Sequence, residues 1–206
     1  MMMQKAEYIQ KNAFKRKLMS ERIHYRAPFN YVVVTARIEG RIPVDQLKNA
    51  LDKVSIKHPL LRSRIEIEED GTTWFIPRDG WELPVEVVNK ESDMHWTEKA
   101  IDEYKKPFSL DEGPLIRFIL LDSPDSSDLM VVCHHTICDG MSLAYLIRDI
   151  MTFLGNPDME AEPLPAPPVL DFGSFPGSAK IGLLPRIVLG HFSKAWKKTD
   201  KGLQGR

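Results

Sequence analysis

The chain has 206 residues, 43% of them hydrophobic and 28% charged. That is enough for one domain with a real core, or for one lobe of something larger, and it excludes a disordered or fibrous chain. A net charge of −1 gives no bulk argument for nucleic acid, and the absence of any run of about 18 apolar residues excludes a helical membrane span.

The charge is unevenly spread. Residues 1–26 carry seven Lys/Arg and two acids and residues 180–206 carry seven and one, so the total of −1 leaves the body between them near −12. Basic ends on an acidic body fit either solvated helix faces or an anionic surface or partner. The Met-rich start runs directly into Gln4-Lys5 with no apolar h-region, and the two cysteines, Cys133 and Cys138, read as thiols. Both features point to the cytoplasm.

In chain order, residues 4–19 are expected to form a weakly patterned helix through Tyr8, Ile9, Phe14 and Leu18, with Pro28 as a break. Asn30 to Gly40 reads as a strand rich in β-branched residues. Pro43 opens a helix whose apolar face is Val44, Leu47, Ala50, Leu51 and Val54, and Pro59 ends it. Leu60 to Ile67 reads as a strand, Asp70-Gly71 as a hairpin turn and Thr72 to Ile76 as the returning strand. Leu83 to Val88 is a further strand, placed at an edge by Pro84.

Ser92 is expected to cap a helix with a stripe of Thr97, Ala100, Ile101 and Tyr104, closed by Pro107. Leu115 to Leu121 and Leu129 to Cys133 are continuous apolar runs about a Pro124–Asp128 turn. They fit adjacent antiparallel strands buried on both faces. Leu143, Leu146, Ile147, Ile150, Met151 and Leu154 keep helical period up to Gly155, with Pro157 just beyond. The division expected is a lobe over 1–156, a Pro/Gly-rich linker over 157–180 and a basic, apolar segment over 181–206. The class is α+β, a mixed sheet with helices packed on one side.

The stretch with chemistry in it is Cys133-His134-His135-Thr136-Ile137-Cys138-Asp139-Gly140. Neighbouring residues on extended backbone point to opposite faces, so one histidine turns inward while the other faces a cavity. A histidine at a strand end can take a proton from a hydroxyl or amine. Asp139 either orients a histidine, as in a triad, or pairs with an arginine and pins the turn. With Arg62 and Arg64 in a nearby strand segment, the ion pair is favoured. Gly140 removes the Cβ where the chain turns. Three other readings stand beside a catalytic histidine: a structural histidine pair, a metal site and a cysteine nucleophile. The metal site lacks a fourth ligand close in sequence.

His134 to Gly140 has the form H-H-x-x-x-D-G and resembles the signature of the chloramphenicol-acetyltransferase-like acyltransferase superfamily. That group includes nonribosomal peptide synthetase condensation domains, polyketide-associated and plant acyltransferases, and alcohol acetyltransferases. Lys57-His58-Pro59-Leu60-Leu61-Arg62-Ser63-Arg64 resembles the condensation-domain "R-H-x-x-L-R-T". Lys106 to Arg117 resembles "P-F-D-L-x-x-G-P-L-x-R". Order and spacing agree from about residue 20 to 155.

The resemblance implies that His135 is catalytic, deprotonating or positioning an acceptor amine or hydroxyl that attacks an acyl thioester. It implies that His134 is structural, that Asp139 pairs with Arg62, and that Gly140, Met141 and Ser142 line the acceptor tunnel. The donor would be acyl-CoA or a phosphopantetheinyl carrier protein, used as co-substrate with no tightly bound cofactor and no metal. Family members of the condensation type have two similar lobes with the tunnel between them, and this chain matches the first. The alternative function is therefore a non-catalytic half that binds a carrier protein, a partner lobe or a second copy. Ile181 to Lys198 also fits peripheral membrane association.

Overall fold

The apolar runs at 31–39 and 116–134 come together as one sheet in a computed structural model. It describes residues 15–165 apart from Ser20, Arg26, Pro28, Phe29 and Asp79. In chain order the elements are β1 (Arg16–Lys17), α1 (Arg22–Tyr25), β2 (Tyr31–Glu39), α2 (Val44–Lys57), β3 (Ser63–Ile67), β4 (Thr73–Pro77), β5 (Val85–Asn89), α3 (His95–Tyr104), β6 (Ile116–Asp122), β7 (Ser126–His134) and α4 (Gly140–Gly155). A 3-10 turn over Pro59–Arg62 leads into β3.

The larger sheet has the order β2-β7-β6-β5 and the smaller one β1-β4-β3. The larger is mixed: β7 is antiparallel to both β2 and β6, and β5 is parallel to β6. Its register pairs Tyr31 with His134 and Ile116 with Cys133. The expected edge strand is indeed at the edge, with Pro84 just outside it. The Pro84 carbonyl accepts from Phe118 N–H at 2.9 Å.

Side-chain alternation explains why the β6 and β7 runs are continuous. Phe118, Leu120, Leu129, Val131 and Cys133 face Leu47, Leu51 and Val54 of α2 and Leu143, Leu146, Ile150 and Phe153 of α4. Ile119, Met130 and Val132 face the other way, onto Val33, Val88, Trp96, Ala100 and Phe108. With both faces covered, no position in these strands needs to be polar. The architecture is the α+β arrangement. Helices α2 and α4 share one face, and α3 covers part of the other.

Three local expectations are corrected. Residues 16–17 are a short strand on β4 rather than the end of a helix. Leu18 is buried against Ile65, Phe75 and Leu115, a use for which alternation suffices. The strand expected from Leu60 starts only at Ser63, after the tight turn that begins at Pro59. Helix α3 starts at His95, with Ser92 Oγ only accepting from Met94 N–H at 3.3 Å. Ile101 and Tyr104 are exposed, and the inward positions are Trp96, Ala100 and the buried Glu103. Glu103 can face inward because Arg117 and Lys106 donate to its carboxylate. Those bonds outweigh burial and hold its carboxyl below the usual range.

The linker is described as far as Pro165, and the 181–206 segment lies outside the described residues. No helix among the described residues is long and apolar enough to cross a membrane.

Candidate functional site

The site is built at the end of β7. Hydrophobic strand ends there because the backbone stops pairing and turns through His135–Ile137 into α4. His134 N–H donates to Leu115 O at 2.9 Å, and His135 N–H to Asn30 O at 2.8 Å. Ile137 N–H then returns to His134 O at 3.1 Å, which closes the turn. The Ile137 side chain packs against both the core above the larger sheet and the cluster around Phe75. Backbone rungs on one side and this apolar anchor on the other fix where the histidines sit.

The two histidines are in different environments, as alternation requires. His134 is buried, with 1% exposure. Its ring lies edge-on to Tyr31 and Phe108, at 5.8 and 6.2 Å between centroids. Thr136 N–H donates to His134 Nδ1 at 3.3 Å, so the neutral ring carries its proton on Nε2. Burial, followed by the charges of His24 and His135, lowers its pKa to about 4, against a backbone hydrogen bond at Ala27 that raises it. His134 is therefore neutral near pH 7.

His135 is half-buried. Neither of its ring nitrogens has a hydrogen-bond partner among the described residues, and its ring stacks on that of His24 with centroids 4.2 Å apart and planes within 3°. Nothing in the sequence marks His24. It is a lone histidine in a weakly patterned stretch, with no spacing rule connecting it to residue 135.

Asp139 does not meet Arg62. It is exposed and is the N-cap of α4, accepting at 2.7 Å from both the N–H and the Oγ–H of Ser142. Those two bonds, and further the charge of His135, hold its carboxyl below the usual range. A cap of this kind is worth about 1 kcal/mol, less than the buried ion pair that was expected. Asp139 satisfies an orphan helix N–H, and an exposed carboxylate needs no cation to compensate desolvation. Arg62 instead acts on Asp52, opposing the rise that burial and Glu82 cause there.

Gly140 is the first residue of α4. Its φ is not positive, and a Cβ built on it meets nothing within 4 Å. The turn itself therefore places no steric demand for glycine at this position. Met141 is 63% exposed and Ser142 is committed to the cap. Cys133 is buried, and burial followed by the neighbouring Cys138 raises its thiol well above the ordinary value, the opposite of what a thiolate nucleophile needs. Both thiols point at the His134 carbonyl, at 3.6 and 3.7 Å. No group of three or more His, Cys, Asp or Glu side chains with the placement of a metal site occurs among the described residues.

The chain is similar to large biosynthetic enzymes over a short part of their length. It is 31% identical over 146 residues to bacitracin synthase 1 of Bacillus licheniformis, covering 68% of this chain and 3% of that protein. It is 30% identical over 125 residues to surfactin synthase subunit 1 of Bacillus subtilis, covering 60% of this chain and 3% of that protein. Among solved structures, the SgcC5 protein of Streptomyces globisporus aligns at 25% identity with a TM-score of 0.56, over 68% of this chain and 33% of that one. Residues 4–176, which include the smaller sheet, both histidines and α4, match the condensation domain as a family. With the H-H-x-x-x-D-G turn placed at the end of β7 between two packed cores, the chain belongs to the condensation-domain family.

Proposed function

We propose that the protein transfers an acyl group from a thioester to an amine or hydroxyl, with His135 as the catalytic residue. The observation that carries this reading is the different placement of the two motif histidines. His134 is buried and neutral inside an aromatic box. His135 is half-buried with both ring nitrogens unengaged by described residues. The acceptor nitrogen or oxygen attacks the thioester carbonyl, forming a C–N or C–O bond as the C–S bond breaks. The proton lost by the acceptor passes to His135 and from there to the departing thiolate. The Asp139 carboxyl is held below the usual range by Ser142 and, after it, by the charge of His135. The donor is an acyl group on CoA or on a phosphopantetheinyl carrier protein, and the tunnel is completed by a second lobe.

The test is acyl transfer measured with acyl-CoA and with a loaded carrier protein, for wild type and His135→Ala. The expected loss is on the order of 10²–10⁴-fold in kcat, and equal rates overturn the assignment. A second reading is favoured by one observation, that the chain spans 33% of the SgcC5 structure. In that reading it is a half that binds a carrier protein or a partner lobe. Carrier binding with no transfer by wild type supports it over catalysis.

A further inference from the structure

We propose that His24 is a positioning residue for His135, doing by ring stacking what a carboxylate does for the histidine of a triad. This rests on His135 being the catalytic residue. The motive is an unfilled role. A histidine that moves protons needs a fixed ring plane. The only acid in the motif, Asp139, spends its carboxylate on Ser142, and no described residue hydrogen-bonds to the His135 ring. What the ring does have is His24, parallel within 3° at 4.2 Å. That separation and parallelism are those of a stacked pair.

The partner ring is itself held. Asn30 Nδ2 donates to His24 Nδ1 at 2.6 Å, which places the proton of a neutral His24 on Nε2. The same residue's carbonyl accepts from His135 N–H at 2.8 Å. Asn30 thus fixes the backbone of one histidine and the ring of the other. The stack also has an electrostatic consequence. Protons on both stacked rings repel. The charged groups facing the pair are Glu21, which favours charge on His24, His134, whose protonation the charges of both rings oppose, and Asp139, whose carboxyl is lowered by Ser142 and then by the charge of His135. Burial, and after it the charge of His135, keep His24 below the ordinary histidine range.

The experiment combines NMR titration of the histidine ring protons with transfer kinetics for wild type, His24→Ala, His24→Phe and His135→Phe. In His135→Phe the titration midpoint of His24 rises towards the ordinary histidine value. His24→Ala lowers kcat roughly 10- to 100-fold, the cost of a loosened reacting group, with KM unchanged. His24→Phe, which keeps a ring on His135, recovers most of that loss. An unmoved His24 midpoint in His135→Phe, or a kcat in His24→Ala equal to wild type, overturns the proposal. So does equal loss in His24→Ala and His24→Phe with both proteins folded by circular dichroism. If His135→Ala leaves transfer unchanged, the catalytic assignment fails by itself, and the NMR coupling still decides whether the two rings act as a pair.

Discussion

His134 makes the stability of the turn depend on pH. Its pKa is near 4 in the folded protein, against 6.5 for an ordinary histidine. As pH falls through about 6.5 the unfolded chain takes up a proton that the native ring still refuses. Stability therefore declines from there and levels off only near pH 4, where the native ring also protonates. Urea unfolding of wild type and His134→Gln between pH 7 and 4 measures this. The variant is less stable at pH 7 but loses less over the interval, and parallel losses contradict the assignment. Carboxylates protonate over the same range in both proteins, so the difference isolates the histidine. At this scale the motif was legible, because alternation alone separates His134 from His135. The partners were not. Asp139 and Ser142 form a cap three residues apart, a pattern the sequence offers openly, but an arginine in a neighbouring segment was the more attractive partner for a carboxylate imagined as buried. His24 was invisible because stacking leaves no trace in residue spacing.

Helix α3 is held to the sheet by a buried charge. Arg117 of β6 donates through Nε to the Glu103 carboxylate, and through its guanidinium to the Glu103 and Lys106 carbonyls at 2.7 and 2.8 Å. The guanidinium also lies 4.3 Å from the Phe108 ring centroid, which places it next to the aromatic box around His134. Glu103→Ala removes the carboxylate acceptor of this cation, which keeps the two carbonyls, and costs about 1–3 kcal/mol. Adding Arg117→Met recovers part of that cost. A double-mutant cycle by thermal or urea melts reads the coupling, and additive losses would show that the pair contributes nothing beyond its members. The elements read best from sequence were those whose pattern is enforced by burial, namely α2, α4 and the β6–β7 pair. Helix α3 was misread because its inward face carries a glutamate. Its buried side depends on a cation from another element, and no local periodicity reports that.

The larger sheet sets how the molecule as a whole responds. Strands β6 and β7 are central and buried on both faces, while β2 and β5 each pair on one side among the described residues. Amide hydrogen exchange should follow this order, with the β7 amides the last to exchange, the outward amides of β2 and β5 faster, and α1 fastest of all. Early exchange in β7 would mean that the sheet opens from within and that the turn bearing His135 is not anchored as described. The fold class and the order of strands along the chain were legible, since apolar runs and proline breaks record them. That β2 skips nearly ninety residues to pair with β7 was not, because register across sheets is set by which faces remain uncovered after everything else packs.

That pairing has a consequence for synthesis. Tyr31 is matched to His134, and the Asn30 carbonyl takes the His135 N–H. β2 leaves the ribosome early and waits, valine-rich and unpaired, until residues 126–135 follow. The β2–β7 ladder and the Asn30–His135 bond therefore both wait for residues 126–135. A stall between Glu39 and Ser126 leaves an open strand available to any other nascent chain. The pace of elongation over that interval therefore bears on how much of the protein reaches the folded state.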